Sequence, residues 1–586
     1  MAAPAVAVPR TGWLTLGRLR APSAETVIFG AVLAVVLYIV AAPGLFLLWS
    51  SVRATEGRLP FEAGVGYTAA NYVRVYADPA IVGVLVNTAV FTAGSVGIGL
   101  GLSFAFAWLV ERTNMPGRDL AFAVIIAPLA MPGMLSAMGW ILLLGAHSGL
   151  INVILRGVLG LNGEGPLDVY NVWGMMFVQG LNIVPTSFLL LLAAVRSMDP
   201  SHEEAGLAAG ATRLQVMRRV TVPMLTPAIL AVVIYQIIGT MEAFEVPGVI
   251  GLNAGIFVLG TKVYEATHTS AGLADYGLAS ALAVLLVALA LLFLQLYRRF
   301  TGNAERYRTI SGKGYRPRQI DLGPWRFVAL LPVLLYLLLA AVLPFLILVW
   351  GSLLPFYQPP AAELIPRLSL RGYERMLQNT RALSAFGNTL IVVLVVTLAV
   401  LAITSLAAWL IVRSRVRGKG ALDFLTFLPH TLPSIVIGLS IMLVYLFLPA
   451  PLYGTIWIIA VGLVTKQLAF PSRTLIAAQV QIHGELEEAA QVSGADATKR
   501  FLRVAIPLML PALVNTGLWV VMHSMRELSI ALMLYNQRTA VISTLIWNEW
   551  SNGRVADACA FGVVLTLVVV ALAATGRAVF ARPVSR

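Results

Sequence analysis

The chain has 586 residues, of which 59% are hydrophobic and 12% charged, and its formal net charge is +14. So few polar residues would leave a soluble globular protein without an adequate polar surface, and the composition therefore indicates a polytopic membrane protein. The basic residues lie at the ends of apolar runs rather than in a polar domain, which argues against nucleic acid as the partner.

Twelve apolar runs are each long enough to cross a hydrocarbon core about 30 Å thick as a helix, which predicts an all-α fold with about 12 transmembrane helices. The runs of the first half lie near residues 27–50, 84–110, 120–145, 172–195, 227–250 and 274–297. Those of the second half lie near residues 326–351, 387–412, 421–448, 455–480, 510–534 and 557–580. The first run is too long for the apolar core of a cleaved signal peptide, so we expect it to remain as a span.

Two of these runs contain two prolines that are only four residues apart. Pro128 and Pro132 interrupt the third span, and Pro429 and Pro433 interrupt the ninth. Helices broken at corresponding positions often mark a translocation pathway. Kinks that neighbouring helices satisfy are an equally good explanation, and the sequence leaves both open.

A polar, basic stretch, EEAGLAAGATRLQVMRRVTVP at 203–223, separates the fourth and fifth spans. The dipeptide at 199–200, Asp-Pro, predicts a helix cap followed by a proline at the first helical position. Gly210 can take the left-handed conformation that ends a helix, whereas Pro223 and Pro227 discourage one continuous helix into the fifth span. The stretch therefore predicts a helical hairpin that protrudes into the cytosol.

Few ionisable residues fall inside the spans, so each is a candidate functional residue. Glu242 and Glu245 lie in the fifth span, Arg526 and Glu527 lie in the eleventh, and Lys466 lies in the tenth. Glu242 and Arg526 lie roughly 22 Å along their helices from the cytoplasmic end, at equivalent positions where their opposite charges are suited to pair. We hypothesise that the residues of the fifth and eleventh spans form part of the translocation pathway or a gate. The alternative is a static ion pair that fixes helix packing.

The segment between the two sets of six spans is strongly basic. Residues 297–326 hold eight Lys or Arg against two acidic residues. By the positive-inside rule this linker and the hairpin at 203–223 are cytoplasmic. We therefore expect cytoplasmic N- and C-termini, with the outer side holding the segments at 52–83, 146–171 and 251–273.

The second half of the chain repeats the first. At an offset of 301 residues, Pro43, Trp49, Tyr72, Asn87-Thr88, Trp108, Pro128 and Pro132 recur as Pro344, Trp350, Tyr373, Asn388-Thr389, Trp409, Pro429 and Pro433. The offset then falls to 284, because the first half carries about 17 extra residues near 149–171 (301 − 284). Two sets of six spans in the same orientation make a parallel repeat. The predicted units are 1–297, the linker 298–325, and 326–586.

The polar stretch also returns, as EEAAQVSGADATKRFLRVAIP at 487–507. Both copies contain Glu-Ala, then a glycine six residues after the Glu and a proline nineteen residues after it. The matched residues are Glu204, Ala205, Gly210 and Pro223 in the first copy, and Glu488, Ala489, Gly494 and Pro507 in the second. A protrusion made twice about a pseudo-twofold axis suits a partner that is also twofold.

This pattern resembles the EAA signature, E-A-A-x-x-x-G-x9-I-x-L-P, of the membrane-spanning permeases of bacterial ABC importers, with small departures such as Gly206 for the second Ala. The segments MEAFEVPGVIGL (241–252) and MRELSIALMLYNQRTAVISTLIWNEWSNG (525–553) look like the fused permeases of the ferric-iron type. The resemblance implies that the eight matched residues couple to two copies of a cytoplasmic ATPase. It also implies an extracytoplasmic substrate-binding protein, a place in the bacterial inner membrane, and ferric iron as cargo.

The chain itself holds no phosphate-binding motif of the form G-x-x-x-x-G-K-[ST]. ATP hydrolysis is therefore expected on a separate subunit, and neither a catalytic residue nor a cofactor is predicted in this chain. Its six histidines show no metal-ligand spacing, so no metal site is predicted.

Alternatives remain open at two levels. The resemblance extends to permeases for thiamine, polyamines or phosphonates. In a different class, an ion-coupled secondary transporter with twelve spans would use intramembrane carboxylates, which Glu242, Glu245 and Glu527 partly fit. That class does not explain two matched cytosolic hairpins.

Overall fold

The computed structural model describes residues 24–55, 57–199, 201–268, 273–302, 320–448 and 451–580. Within these ranges the chain is helical, and the only β-type pairings are two isolated bridges. The all-α fold predicted from the composition is therefore confirmed. Most of the predicted linker, residues 303–319, lies outside the described residues, as does Pro200.

The described chain contains 27 α-helices. Those of the first half are α1 Ala24–Ser51, α2 Ala70–Ala77, α3 Pro79–Arg112, α4 Arg118–Ile126, α5 Gly133–Leu144, α6 Leu150–Leu159, α7 Val172–Ser197, α8 Ser201–Ala208, α9 Arg213–Val216, α10 Val222–Met241, α11 Leu259–Thr267 and α12 Tyr276–Gly302. Those of the second half are α13 Trp325–Val328, α14 Leu331–Leu337, α15 Leu343–Ser352, α16 Arg371–Gln378, α17 Thr380–Arg413, α18 Lys419–Phe427, α19 Ser434–Phe447, α20 Ile456–Gln467, α21 Ala469–Gln481, α22 Gly484–Val492, α23 Ala497–Arg500, α24 Ile506–Arg526, α25 Ser529–Leu534, α26 Ile542–Ser551 and α27 Val555–Phe580.

Nine helical runs of the described chain are long and apolar enough to cross a membrane, and two sharply bent helix pairs bring the total to eleven. The bent pairs, α4 with α5 and α18 with α19, are the predicted third and ninth spans. The predicted tenth span is the shorter helix α20 followed by α21, which meet at Leu468. Each of the twelve predicted runs thus corresponds to a helix or to a divided helix.

The fifth and eleventh spans end earlier than predicted. Their expected ranges were 227–250 and 510–534, but α10 ends one residue before Glu242 and α24 ends one residue before Glu527. The Glu527 carboxylate accepts the backbone N–H of Ile530 at 3.1 Å, so it starts a new short helix instead of continuing the old one. Both glutamates therefore lie at helix ends and not in the middle of a span.

The prolines do not interrupt the helices that lead into these two spans. Residues Arg213–Met241 and Ala497–Arg526 are continuous helical spans, each with one π-helical turn, at Met217–Thr221 and Phe501–Ala505. The expectation that the prolines would discourage a continuous helix is therefore wrong. The π turn shifts the hydrogen-bond register, and Pro223 becomes the second residue of α10, where a backbone N–H is not required.

Each half packs its first span against the other half. Helix α1 lies against α18 and α19, and the Thr465 hydroxyl of α20 donates to the Ile39 carbonyl at 3.2 Å. In the same way α15 lies against α5. A Cβ at Gly139 would lie 2.7 Å from the Pro344 Cβ, so the glycine allows this close approach. The main hydrophobic core consequently runs through both halves.

The matched Asn-Thr pairs hold the N-terminal parts of α3 and α17 to later segments of the same half. The Thr88 hydroxyl accepts the N–H of Leu259 at the start of α11, and the Thr389 hydroxyl accepts the N–H of Ile542 at the start of α26, both at 2.9 Å. The asparagine before each threonine donates to a backbone carbonyl just ahead of the same helix. These contacts fix α11 and α26, which follow the charged ends of the fifth and eleventh spans.

The described end of the linker is bonded to the first half. Ile320 accepts the N–H of Asn114 at 3.1 Å, and the N–H of Gly323 and the Asn114 amide both donate to the Asp321 carboxylate. These hydrogen bonds hold the pKa of Asp321 below its ordinary value. Arg213 of α9 donates to the Asp321 carbonyl at 3.3 Å, so the linker ends beside the first polar hairpin.

Close packing of α3 on α7 depends on Gly99. A Cβ there would lie 2.3 Å from Ile183 Cγ1 and 2.9 Å from the Gly180 carbonyl oxygen. We expect Gly99→Val to lower the free energy of unfolding by about 1–3 kcal/mol, because the added methyl groups force the two helices apart. Thermal unfolding of the purified protein in detergent measures the change.

Gly97 supplies the matched control. It lies on the same helix, and a Cβ there would meet no described atom within 4 Å. Gly97→Val makes the same change in helix propensity without the clash, so its melting temperature should stay near that of the wild type. Equal shifts for the two variants would contradict the packing explanation.

Candidate functional site

The third and ninth spans are broken, and not merely kinked. Helices α4 and α5 meet at 91°, and α18 and α19 meet at 111°. In each case a short 3₁₀ turn is followed by two extended residues, Met131–Pro132 in the first half and Leu432–Pro433 in the second. The proline ring cannot donate a hydrogen bond to continue the helix, so a new helix begins directly after it. Of the two explanations left open by the sequence, the structure supports the broken helix.

A cavity of about 250 Å³ lies beside these breaks. Both halves of the chain line it, and the four charged residues predicted from the fifth and eleventh spans all contribute. Its lining includes Leu129, Met131, Gly133, Gln179, Asn182, Gly239, Glu242, Glu245, Ser434, Arg526 and Glu527. The sequence hypothesis therefore named residues that the fold brings to one place.

Glu242 pairs with Lys466 of α20. The Lys466 ammonium lies 3.2 Å from Glu242 Oε2 and also donates to the Leu432 carbonyl, at the break of the ninth span, at 2.8 Å. The predicted pair of Glu242 with Arg526 is wrong, since no ion pair within 4 Å joins them among the described residues. Lys466 reaches the Glu242 carboxylate and the Leu432 carbonyl at once, whereas Arg526 donates to the Leu129 carbonyl.

Glu245 and Arg526 bind the two sides of the break in the third span. Glu245 Oε2 accepts the N–H of Met134, in the first turn of α5, at 3.0 Å. Arg526 donates to the carbonyl of Leu129, in the turn that precedes the break. A helix N-terminus favours negative charge, and free carbonyls favour a cation. The two side chains thus replace the hydrogen bonds that the broken helix has lost.

The two polar stretches form matched helical hairpins. In the first hairpin α8 precedes Gly210 and α9, and in the second α22 precedes Gly494 and α23. Both glycines have φ of +84°, so the predicted left-handed turns are confirmed. The predicted cap also forms, because Asp199 accepts the N–H of Ser201 at 2.9 Å, and this bond lowers the pKa of Asp199.

The surfaces of the hairpins are open to solvent. Helix α8 has no buried residue, and in α22 only Glu487 is buried. Of the predicted coupling residues, Glu204 is half-buried, whereas those that are exposed are Ala205, Gly210, Pro223, Glu488, Ala489, Gly494 and Pro507. Val492, at the end of α22, is 91% exposed.

The sequence reasoning missed the acid that precedes each predicted glutamate. Glu487 is buried and lies 3.2 Å from the Arg413 guanidinium, while Trp409 and Gln479 each donate to it at 2.9 Å. In the first half Glu203 has the corresponding place, 3.6 Å from Arg112. The sequence did contain a signal for this pairing. The two acids are 284 residues apart and the two arginines are 301 residues apart, which are the two offsets of the repeat.

The chain is similar to known transport proteins along most of its length. The family model for binding-protein-dependent transport system inner membrane components matches residues 97–304 and 400–582. The ferric transport system permease protein FbpB of Actinobacillus pleuropneumoniae is 27% identical over 563 residues, covering 95% of this chain and 78% of that protein. A putative ferric transport system permease protein of Haemophilus influenzae is 26% identical over 536 residues, covering 90% and 81%.

Partial similarity extends to other transport systems. The trehalose/maltose transport system permease protein MalF of Thermococcus litoralis is 29% identical over 278 residues, which cover 45% of this chain and 89% of that protein. The crystal structure of a bacterial alginate ABC transporter with its alginate-bound periplasmic protein aligns with a TM-score of 0.38 at 16% identity, covering 49% of this chain and 96% of that one.

The Glu242–Lys466 pair makes a testable contribution to stability. The two side chains are 21% and 19% exposed. We expect Lys466→Met to lower the free energy of unfolding by about 1–3 kcal/mol, because the carboxylate loses its charged partner and stays largely shielded from water. Thermal unfolding in lipid nanodiscs measures the loss.

The double variant is the control. Glu242→Gln in the Lys466→Met background removes the unpaired charge, so the double variant should lose less stability than the two single variants added together. Strict additivity would show that the two side chains do not interact.

Proposed function

The chain belongs to the family of binding-protein-dependent transport system inner membrane components, and from this premise we propose that it forms the translocation pathway of an ABC importer for ferric iron. The family model matches once in each half, so the two repeats act as an internal pseudo-dimer. As a member of this family the chain is a multi-pass transport permease and not an enzyme.

The matched hairpins are the observation that carries the proposal for coupling. Each is a short solvent-exposed helix, a left-handed glycine and a second helix that continues without interruption into a span. A force that a partner exerts on α8 or α22 is therefore passed to the span that follows the hairpin. We assign one copy of a cytoplasmic ATPase to each hairpin, with Glu204, Gly210, Glu488 and Gly494 at the contacts. ATP is hydrolysed on that partner, and this chain itself holds no cofactor.

Contacts of the hairpins support the proposed sidedness. Arg500, in the second hairpin, binds Glu25 at the start of α1 at 2.6 Å, and the described end of the basic linker binds Arg213 of the first hairpin. The start of α1, the described end of the linker and both hairpins thus lie on one side of the molecule. We assign this side, with both termini, to the cytoplasm of a bacterial cell, and the opposite side to docking of an extracytoplasmic substrate-binding protein.

The cavity supports a cationic cargo. Three carboxyl groups, of Glu242, Glu245 and Glu527, face two cationic groups, of Arg526 and Lys466. This excess of acids favours a cation over an anion such as a phosphonate. The relatives that match nearly the whole chain are named for ferric transport. We therefore place the pathway through this cavity, and the charged contacts between its walls form the gate.

The importer assignment is tested by reconstitution. Proteoliposomes that contain this chain and its partner ATPase should take up radiolabelled ferric iron from the binding protein only when ATP is supplied on the side of the membrane that carries the ATPase. Uptake that persists without the ATPase, driven by a proton or sodium gradient, would instead identify a secondary transporter.

Docking of the ATPase on the hairpins is tested by a separate variant. Combining Glu204→Arg with Glu488→Arg should abolish copurification with the ATPase, because it reverses the charge at both docking surfaces. Glu363→Arg makes the same change at an exposed position in the segment before α16, on the opposite side, and should copurify normally. Loss of copurification in both variants, or in neither, would refute the assigned contacts.

If Arg526 belongs to the gate, its substitution should impair transport more than it impairs folding. Arg526→Met should reduce ATP-driven uptake by roughly tenfold or more, because it removes a charged hydrogen bond at the break of the third span. Copurification with the ATPase should be unaffected. A variant that transports normally and only unfolds at a lower temperature would assign Arg526 to static packing.

A further inference from the structure

Arg112 connects three parts of the first half. It ends α3 and is only 3% exposed. One of its nitrogens, Nη2, donates to the carbonyls of Val195 and Met198, at the end of α7, at 3.2 and 3.1 Å. Its Nε lies 3.6 Å from the carboxylate of Glu203 in the first turn of α8. A single side chain therefore contacts the second span, the fourth span and the first hairpin.

Arg413 makes the same connection in the second half. It ends α17, and its Nη2 donates to the carbonyl of Gln479 at 3.2 Å and to that of Ile482. Its Nε lies 3.2 Å from the carboxylate of Glu487. Both arginines and all of their partners stand at equivalent positions of the repeat. The arrangement is therefore a property of each half and not an isolated contact.

We call each of these contacts, between an arginine, the end of a span and a carboxylate of a hairpin, a joint. The chemistry of the joint requires arginine. The last carbonyls of α7 and α21 have no partner within their own helices, and a cation there also interacts favourably with the helix dipole. The planar guanidinium can bind such carbonyls and a carboxylate at the same time, whereas the ammonium of lysine is a point charge. Removing the arginine would leave the carbonyls without this donor and the shielded carboxylate without the positive charge beside it.

The joint lies on the route from the hairpins to the cavity. Helix α7 carries Gln179 and Asn182 in the cavity lining and ends at the carbonyls that Arg112 binds. Helix α20 carries Lys466, which holds Glu242, and continues past Leu468 into α21, whose end Arg413 binds. A displacement of either hairpin is thus passed to a helix that reaches the cavity.

We infer that Arg112 and Arg413 are positioning residues that transmit movement of the hairpins to the walls of the cavity, through Glu203 and Glu487. This inference rests on the proposed importer function. It assigns force transmission to the inward-facing acid of each hairpin, and docking of the ATPase to Glu204 and Glu488, which follow it.

The two joints differ in strength. Glu487 has three side-chain partners, including Trp409 and Gln479, whereas Glu203 is bound by Arg112 and by the hydroxyl of Thr221 at 2.7 Å. The second hairpin therefore moves with its half more rigidly than the first. Variants of the second joint should have the larger effect on coupling.

The experiment compares Arg413→Lys with Arg415→Lys in the full transporter, reconstituted with its ATPase and binding protein. Arg415 is an exposed arginine two residues further along the chain. For Arg413→Lys we expect normal copurification with the ATPase and retained ATP hydrolysis, but roughly tenfold less iron taken up per ATP, as for the loss of one charge-assisted hydrogen bond. Arg415→Lys should match the wild type, and Arg112→Lys should show a smaller loss.

A second variant guards against misfolding. Glu487→Gln keeps the size of the side chain and one acceptor oxygen and removes the charge beside Arg413, so it should also lower uptake per ATP. It also takes the acceptor from one of the two donors, because Trp409 and Gln479 donate to different carboxylate oxygens. Unchanged uptake per ATP in Arg413→Lys and Glu487→Gln would overturn the inference. So would a loss of uptake that only parallels a loss of ATPase copurification, since that indicates a merely structural role. Absence of ATP-driven uptake in the wild type would instead overturn the proposed function.

Discussion

Inside a membrane a polar backbone group has no water to bind, so a span that breaks must find its partners within the protein. The third and ninth spans break at Met131–Pro132 and Leu432–Pro433, and each break leaves free carbonyls on one side and free N–H groups on the other. Glu245 and Arg526 bind the two sides of the first break, and Lys466 binds a carbonyl at the second. The breaks and the charged residues therefore depend on each other, and neither would be stable alone.

The same physical requirement governs the ends of the spans near the hairpins. There the guanidinium groups of Arg112 and Arg413 bind the last carbonyls of the fourth and tenth spans and, in addition, a carboxylate from each hairpin. In the cavity, Lys466 likewise binds a carbonyl and the carboxylate of Glu242. Because these side chains satisfy the backbone and also join separate helices, a movement of one helix must displace its neighbour. The Glu242–Lys466 contact is still about one-fifth exposed, so exchanging it costs less than separating a fully buried pair.

Local features could be predicted from the sequence at the level of single residues, whereas long-range partners could not. The left-handed turn at Gly210 follows from its neighbours, because helix termination is encoded within a few residues. The end of the fifth span before Glu242 was missed, since hydropathy continues past the point where the backbone turns. The partner of Glu242 was also missed, because Lys466 is 224 residues away and apolar runs do not reveal which helices meet. Glu203 recurs as Glu487 in the repeat, which marks it as a candidate. Only the contact with Arg112 in the structure shows that its side chain faces inward.

A fused chain permits a charge arrangement that two identical subunits cannot make. In a symmetric dimer a residue near the axis faces its own copy, so an acid meets an acid and the like charges repel. Here Glu242 corresponds to Arg526 and Asn182 corresponds to Lys466, both at an offset of 284 residues. The two cations thus come from the second half, whereas two of the three carboxylates come from the first. In the gate proposed above, attraction between the halves favours the closed cavity, and a cation that enters would compete with Arg526 and Lys466 for the carboxylates. On the proposed function, duplication supplies matched hairpins for two copies of the ATPase, and divergence between the halves supplies a polar pathway that the cargo itself would help to open.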